Sequence, residues 1–119
     1  LLRRYGEPEG GEAQTALSHL AAELGLYLVG GTCAGAVGGR IYNTSYVYGP
    51  DGRQLAKHRK AHLFDIDVQG DSGSGSRSTL SPGNAITTFE TPRHHGLCVC
   101  FDLAVRGAWP GACACGGQR

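Results

Sequence analysis

The sequence predicts an α/β chain, part of a layered sheet whose elements run helix, strand, hairpin, loop and two further strands. Three observations carry this. Residues 12–25 show apolar positions at helical spacing. Residues 26–32 form a continuous apolar run that ends in glycines. Residues 40–58 hold two β-rich runs around a strong turn signal. With 119 residues there is room for one small domain.

Within the helix, Leu17, Leu20, Ala21 and Leu24 recur at i, i+3, i+4 and i+7 and make one stripe, and Gly25 is the expected stop. Leu26 to Thr32 is apolar enough to expect a strand buried on both faces. Arg40 to Tyr48 is rich in aromatic and β-branched residues and reads as a strand. Gly49-Pro50-Asp51-Gly52 is the turn, and Arg53 to His58 returns antiparallel. Residues 71–78, Asp-Ser-Gly-Ser-Gly-Ser-Arg-Ser, read as a low-complexity loop. Ser81-Pro82-Gly83-Asn84 is a turn, Ala85 to Glu90 a strand, and Gly96 to Phe101 a second short apolar strand. After Asp102 neither period survives. The expected organisation is a partial domain over 1–103 and a Gly/Cys-rich, disordered tail over 104–119.

Composition excludes several classes. Lys and Arg number 11 against 10 Asp and Glu, so no basic excess exists to hold nucleic acid. No apolar stretch reaches the ~20 residues of a membrane span. Glycine is unusually abundant, 20 of 119, and clusters in residues 30–39, 70–75 and 107–117. The five cysteines are Cys33, Cys98, Cys100, Cys113 and Cys115; the odd count and absence of an apolar export signal after Leu1 argue against a disulfide framework. The cytoplasm is the default compartment, with mitochondria or plastids open because a targeting segment would precede Leu1.

Two segments concentrate chemistry. His58-Arg59-Lys60-Ala61-His62-Leu63-Phe64-Asp65-Ile66-Asp67 packs cations, imidazoles and carboxylates into ten residues after a strand. From composition alone it reads as a solvated strand end; the sharper reading is a lysine held for proton transfer or oxyanion stabilisation. Gly96-Leu97-Cys98-Val99-Cys100-Phe101-Asp102 places a cysteine at the end of a buried strand, where a small buried hydrophobe and a functional thiol are both possible. Alternation along that strand would put Cys98 and Cys100 on one face.

These segments resemble a known family. Tyr42-Asn43-Thr44, Gly49-Pro50-Asp51-Gly52, Lys57-x-Arg59-Lys60-x-His62-Leu63-Phe64-Asp65-Ile66-Asp67, Leu80-Ser81-Pro82-Gly83 and Gly96-Leu97-x-Val99-Cys100-Phe101-Asp102 follow one another with the spacing of the nitrilase superfamily of carbon–nitrogen hydrolases, most like its omega-amidase (Nit2-like) branch. The resemblance covers roughly residues 5 to 103, helix and first strand included. It implies a four-layer α-β-β-α sandwich, here incomplete, and an amidase hydrolysing a small carboxylate amide, of the type 2-oxo acid omega-amide to 2-oxo acid plus ammonia. It implies Cys100 as nucleophile and Lys60 as the cation stabilising oxyanion and thioester, with His62, Phe101 and Asp102 near the site. A thiol is mostly protonated at neutral pH, so a glutamate must take its proton before attack on the amide carbon. No metal or organic cofactor is implied. The implied partners are a small-molecule amide and, in the complete protein, further copies of itself.

The chain departs from that pattern. The catalytic glutamate of the family would lie upstream of Leu1, and Glu7, Glu9 and Glu12 belong to the later stretch; Glu12 is expected at the helix start. Ser74-Gly75-Ser76 stands where relatives carry a phenylalanine and a glutamate, and Cys98 stands where they carry a small residue. Ala104-Val105-Arg106-Gly107 replaces the expected arginine and helix. The chain is therefore expected to be an internal fragment, inactive alone and at best marginally folded. Two alternatives compete: a non-catalytic remnant that binds full-length family subunits, and metal or redox binding by Cys98, Cys100, Cys113, Cys115, His94 and His95.

Overall fold

The computed structural model of the chain describes residues 6–63 and 80–105. Helix α1 spans Glu12–Leu24. Five strands follow: β1 (Leu28–Val37), β2 (Arg40–Tyr48), β3 (Gln54–Arg59), β4 (Thr87–Glu90) and β5 (His94–Leu97), then a 3-10 turn over Cys100–Leu103. The first three strands form one antiparallel sheet in sequence order, and β4 and β5 form a separate antiparallel pair.

Helix α1 begins with Glu12 in its first turn, where negative charge complements the exposed amides. Its N-cap, Gly11, has no side chain to cap with, and Glu7 supplies the missing acceptor: its Oε1 takes the Ala13 N–H at 2.6 Å. Gln14 is buried and ties the entry, donating to the Pro8 carbonyl and accepting the Gly10 amide. The expected stop at Gly25 holds: it adopts the left-handed conformation at φ 62°. The apolar stripe is only half covered, however. Ala21 is fully buried and Leu17 packs against it, while Leu20 and Leu24 stay exposed.

Strand β1 corrects the reading of residues 26–32 in two ways. It starts later and runs on to Val37, past glycines expected to end it, because pairing with β2, broken by a bulge at Gly30 and Gly31, resumes at Thr32↔Ser45 and continues to Val37↔Arg40. Gly38 and Gly39, both at positive φ, close the hairpin as the two-residue turn that suits right-twisted strands. Nor is β1 buried on both faces: Val29 is 51% exposed. Only one side of β1 meets the helix. Ahead of α1, Glu7 pairs with β1 in parallel, its amide on the Ala34 carbonyl and its carbonyl on the Ala36 amide.

Strand β2 has the expected bounds and is the centre of the fold. Its side chains alternate between two clusters, as period two requires. Tyr46 and Tyr48 meet Ala21, Leu17, Leu28 and Cys33 on the helix side. Val47 meets Ala56, Leu97 and Phe89 on the other, where the β4–β5 pair packs. The same alternation carries Ala56, His58 and Lys60 onto that second side of β3 and its continuation, since Val47 pairs with Ala56 and Ser45 with His58.

The last apolar run is the largest departure. Residues 96–101 do not form one strand. β5 ends at Leu97, and Cys100 opens a 3-10 turn. The cause is Asp102, whose side chain accepts the Val99 amide at 3.1 Å, a local side-chain to backbone bond that competes with strand pairing. Cys98 and Cys100 therefore do not share a strand face. Residues 71–78, Asp65, Asp67 and Ser74 to Ser76 lie outside the described residues, as does the tail beyond Val105.

Candidate active site

The residues expected to carry chemistry gather where the end of β3, a Ser-Pro-Gly turn and the Cys100 turn meet. The end of β3 is held first. The Lys60 amide bonds the Asn43 carbonyl at 2.8 Å, which extends the β2–β3 ladder one step past Arg59. Lys60 is buried, 6% exposed, and among the described residues no carboxylate pairs with its ammonium. On the Lys60 backbone sits the Ser81-Pro82-Gly83 turn: the Gly83 amide donates to the Lys60 carbonyl at 2.9 Å, and the Ser81 amide donates to the Ile41 carbonyl at 2.7 Å. The turn lies so close that a Cβ at Gly83 would stand 2.1 Å from the Arg59 carbonyl oxygen. Only glycine fits there.

The Cys100 turn is strained. Cys100 has φ 53°, and among the described residues it is the one non-glycine at positive φ. That conformation costs an L-residue roughly 1–2 kcal/mol and persists only where its surroundings hold it. The thiol is exposed and free, Phe101 beside it is partly exposed, and Cys98 is half-buried.

What holds the turn is Asp102, which is fully buried. Its Oδ2 accepts the Val99 amide at 3.1 Å and lies 3.0 Å from His58 Nε2. Its Oδ1 accepts the His62 amide at 2.6 Å and lies 3.0 Å from His62 Nδ1. Burial by itself would raise this carboxyl, but the bonds from the His58 ring, the His62 and Val99 amides and the His62 ring outweigh it and hold it below its ordinary value of 3.8. An ionised carboxylate only accepts, so His58 Nε2 and His62 Nδ1 carry the protons in these bonds. The other ring nitrogen of His58, Nδ1, is 3.1 Å from Thr87 Oγ1 on β4, and that hydroxyl also lies 3.4 Å from the Lys57 carbonyl, to which it donates.

The reading of residues 58–67 as a solvated strand end fails at its first residue, because His58 is 0% exposed. His62 is half-buried, its side chain 34% exposed. One carboxylate thus joins the turn that contains Cys100 to the residues on either side of Lys60. Asp102 is two residues past Cys100, and it bonds the residues two before and two after Lys60. His58 and Thr87 were not singled out from the sequence. For His58 the signal exists, since Ala56-His58-Lys60 follows the face of β3 turned to the second cluster; Thr87 carries none.

The nearby glutamates are engaged elsewhere. Glu7 caps α1, and Glu9 pairs with Lys57, whose ammonium holds the Glu9 carboxyl below its ordinary range through hydrogen bond and charge together. Cys33, on the helix side, has its thiol pushed up by burial and then by Glu7. Among the described residues no group of three or more His, Cys, Asp or Glu could hold a metal ion.

Comparison with known proteins identifies the family. The profile of the carbon–nitrogen hydrolases matches residues 3–109. Omega-amidase NIT2 of Xenopus tropicalis is 47% identical over 100 residues, covering 83% of this chain and 36% of that protein. Omega-amidase NIT2 of Homo sapiens gives the same figures, 47% over 100 residues, 83% and 36%. The crystal structure of Saccharomyces cerevisiae Nit3, a nitrilase-superfamily member, superposes with a TM-score of 0.73 and 34% identity, over 90% of this chain and 38% of that one. The C. elegans NitFhit protein superposes with a TM-score of 0.69 at 23% identity, over 79% of this chain and 24% of that one, a likeness of fold alone. The chain spans about a third of the length of the curated relatives it matches.

Proposed function

This chain belongs to the carbon–nitrogen hydrolase family, and on that premise we propose that it contributes the nucleophile and the cation of an amide-hydrolysing centre for a small carboxylate amide. Cys100 is the nucleophile and Lys60 the cation. The observation that supports this is the Asp102 carboxylate, which bonds residues flanking Lys60 while sitting within the Cys100 turn.

The chemistry follows from the two groups. The Cys100 thiol loses its proton to a base, and its sulfur forms a bond to the amide carbon. The carbonyl π electrons move to oxygen, and the Lys60 ammonium faces that charge. Collapse expels the amide nitrogen as ammonia, which takes a proton, and leaves a thioester on Cys100. Water then adds to the thioester carbon, and the acid leaves as the thiol is restored. Among the described residues Glu7 and Glu9 are committed to α1 and Lys57, and in this reading the base comes from outside this chain. The isolated chain is therefore inactive in this reading, and the omega-amide of a 2-oxo acid is the substrate class, by likeness to the NIT2 relatives.

A chimera tests it. The matching 100 residues of the Xenopus tropicalis omega-amidase are replaced by the corresponding residues of this chain, and ammonia release from an omega-amide is measured. Turnover is expected. Cys100→Ala should reduce it by about a thousandfold or more, as loss of a nucleophile does. Lys60→Ala should cost on the order of a hundredfold or more in kcat, the scale of losing an oxyanion donor. Turnover that survives Cys100→Ala would sink the assignment.

A further inference from the structure

We infer that Asp102 is the positioning residue for Cys100: its carboxylate ties the Cys100 turn, through the Val99 amide, to the strand end that carries Lys60, through His58 and His62. The inference rests on the reading of Cys100 and Lys60 as nucleophile and cation.

The argument starts from the strain. Cys100 sits at φ 53°, and nothing in a thiol side chain favours that conformation. Two backbone bonds lie within the turn: the Asp102 amide on the Val99 carbonyl at 3.2 Å, and the Ala104 amide on the Phe101 carbonyl at 3.0 Å. Neither reaches the rest of the molecule. The Asp102 side chain does. Oδ2 is shared between the turn, at the Val99 amide, and β3, at His58. Oδ1 is shared between the backbone and ring of His62. His58 is in turn braced on β4 by Thr87. The carboxylate is thus the junction of three elements, and its position sets where the thiol stands relative to the strand end.

The junction requires an acceptor-only group. His58 Nε2–H and the Val99 N–H both point at Oδ2, so a group there that donates can satisfy one of them only by losing the other. This gives a separation of roles. Asp102→Asn has the same shape. If its carbonyl oxygen stays with His62, its NH2 faces His58 and Val99. The imidazole can adapt by moving its proton from Nε2 to Nδ1, accepting from the amide and donating to Thr87 Oγ1. The Val99 N–H cannot adapt. The turn is released while the ties between β3, β4 and the side chain survive.

The experiment uses the whole chain and needs no amide turnover, so its failure is distinct from failure of the hydrolase reading. Two quantities are read in wild type and Asp102→Asn: the His58 tautomer, from the ring nitrogen resonances, and the alkylation rate of Cys100 by iodoacetamide at neutral pH, by peptide mass, against Cys98 in the same molecule. The expected result is a change from the Nε2–H to the Nδ1–H tautomer and a Cys100 rate changed about fivefold or more, because release of the turn moves the thiol and alters its approach and surroundings. The Cys98 rate should hold. Asp102→Glu, which keeps an acceptor-only group, should retain the Nε2–H tautomer. An unchanged Cys100 to Cys98 ratio in a folded Asp102→Asn protein overturns the inference. Should that variant not fold, His62→Gln carries the test, since it removes only the half-exposed ring: a changed Cys100 alkylation rate supports the tie, and an equal rate overturns it.

Discussion

Asp102 sets a pH dependence whose sign can be worked out from its donors. Its carboxyl lies below 3.8 in the folded chain, because the bonds from His58, His62 and Val99 outweigh burial. Unfolded, it returns to the ordinary value. Between the two values the unfolded state binds the proton and the folded state does not, so stability rises with pH across that window. The contribution is complete above about pH 5 and is lost as pH falls through the folded value. Urea midpoints measured from neutral pH down into this range should fall more steeply in wild type than in Asp102→Asn; parallel curves would refute it. Removing the acceptor altogether is a larger change. Asp102→Ala strands buried donors, His58 among them, and should cost roughly 3 kcal/mol or more in urea titrations. Gly83 offers a second test at this scale. A Cβ there meets backbone, not a flexible side-chain end, so Gly83→Ala should destabilise by roughly 1–3 kcal/mol. It should also speed hydrogen exchange of the amide at position 83, now bonded to the Lys60 carbonyl. Lys60 and Cys100 drew attention in the sequence because their neighbours form motifs. The role of Gly83 was not, since a turn reads as a turn whether or not anything lies beneath it.

The elements show why some boundaries were legible and others were not. β2 has the bounds its composition predicts because both of its faces are covered, so aromatic and β-branched residues run along its whole length. β1 was read too short. Its glycines signal a stop locally, yet Gly30 and Gly31 form only a bulge and pairing with β2 resumes at Thr32, which is not visible in β1 alone. The opposite error occurred after β5, where an apolar run suggested a strand and a single aspartate, bonding back three residues, turned it. Between these, Leu97 is the last residue of β5 and packs with Val47, Ala56 and Phe89 against the central strand. It fastens the β4–β5 pair three residues before Cys100. Leu97→Ala should therefore cost roughly 2–4 kcal/mol, within the range of buried leucine truncations. Its effect should reach beyond stability: below the unfolding transition, amides of Thr87 to Glu90 should exchange faster than those of β2. Equal protection of both would mean that Leu97 does not anchor the pair.

Across the whole molecule, apolar surface is distributed unevenly. Tyr46, Val47 and Tyr48 are nearly inaccessible, while Leu20, Leu24, Leu26, Tyr27 and Val29, from α1, the start of β1 and the link between them, are each more than a third exposed. Isolated exposed leucines need no explanation, but five large apolar residues within ten positions do. A half-covered helix stripe and a strand with one covered face are the local causes. The chain spans about a third of the length of its matched relatives. A net charge of only +1 provides little repulsion between copies. This surface predicts self-association of the chain, which bears on the second reading that the sequence raised. Sedimentation of the purified chain over a hundredfold concentration range should show mass rising with concentration. Leu24→Lys with Val29→Lys should shift that rise to higher concentration and reduce binding of an apolar dye. Neither position belongs to the buried clusters, so the variant should keep its helix content, and a concentration-independent monomer in the unaltered chain would remove the basis for the second reading.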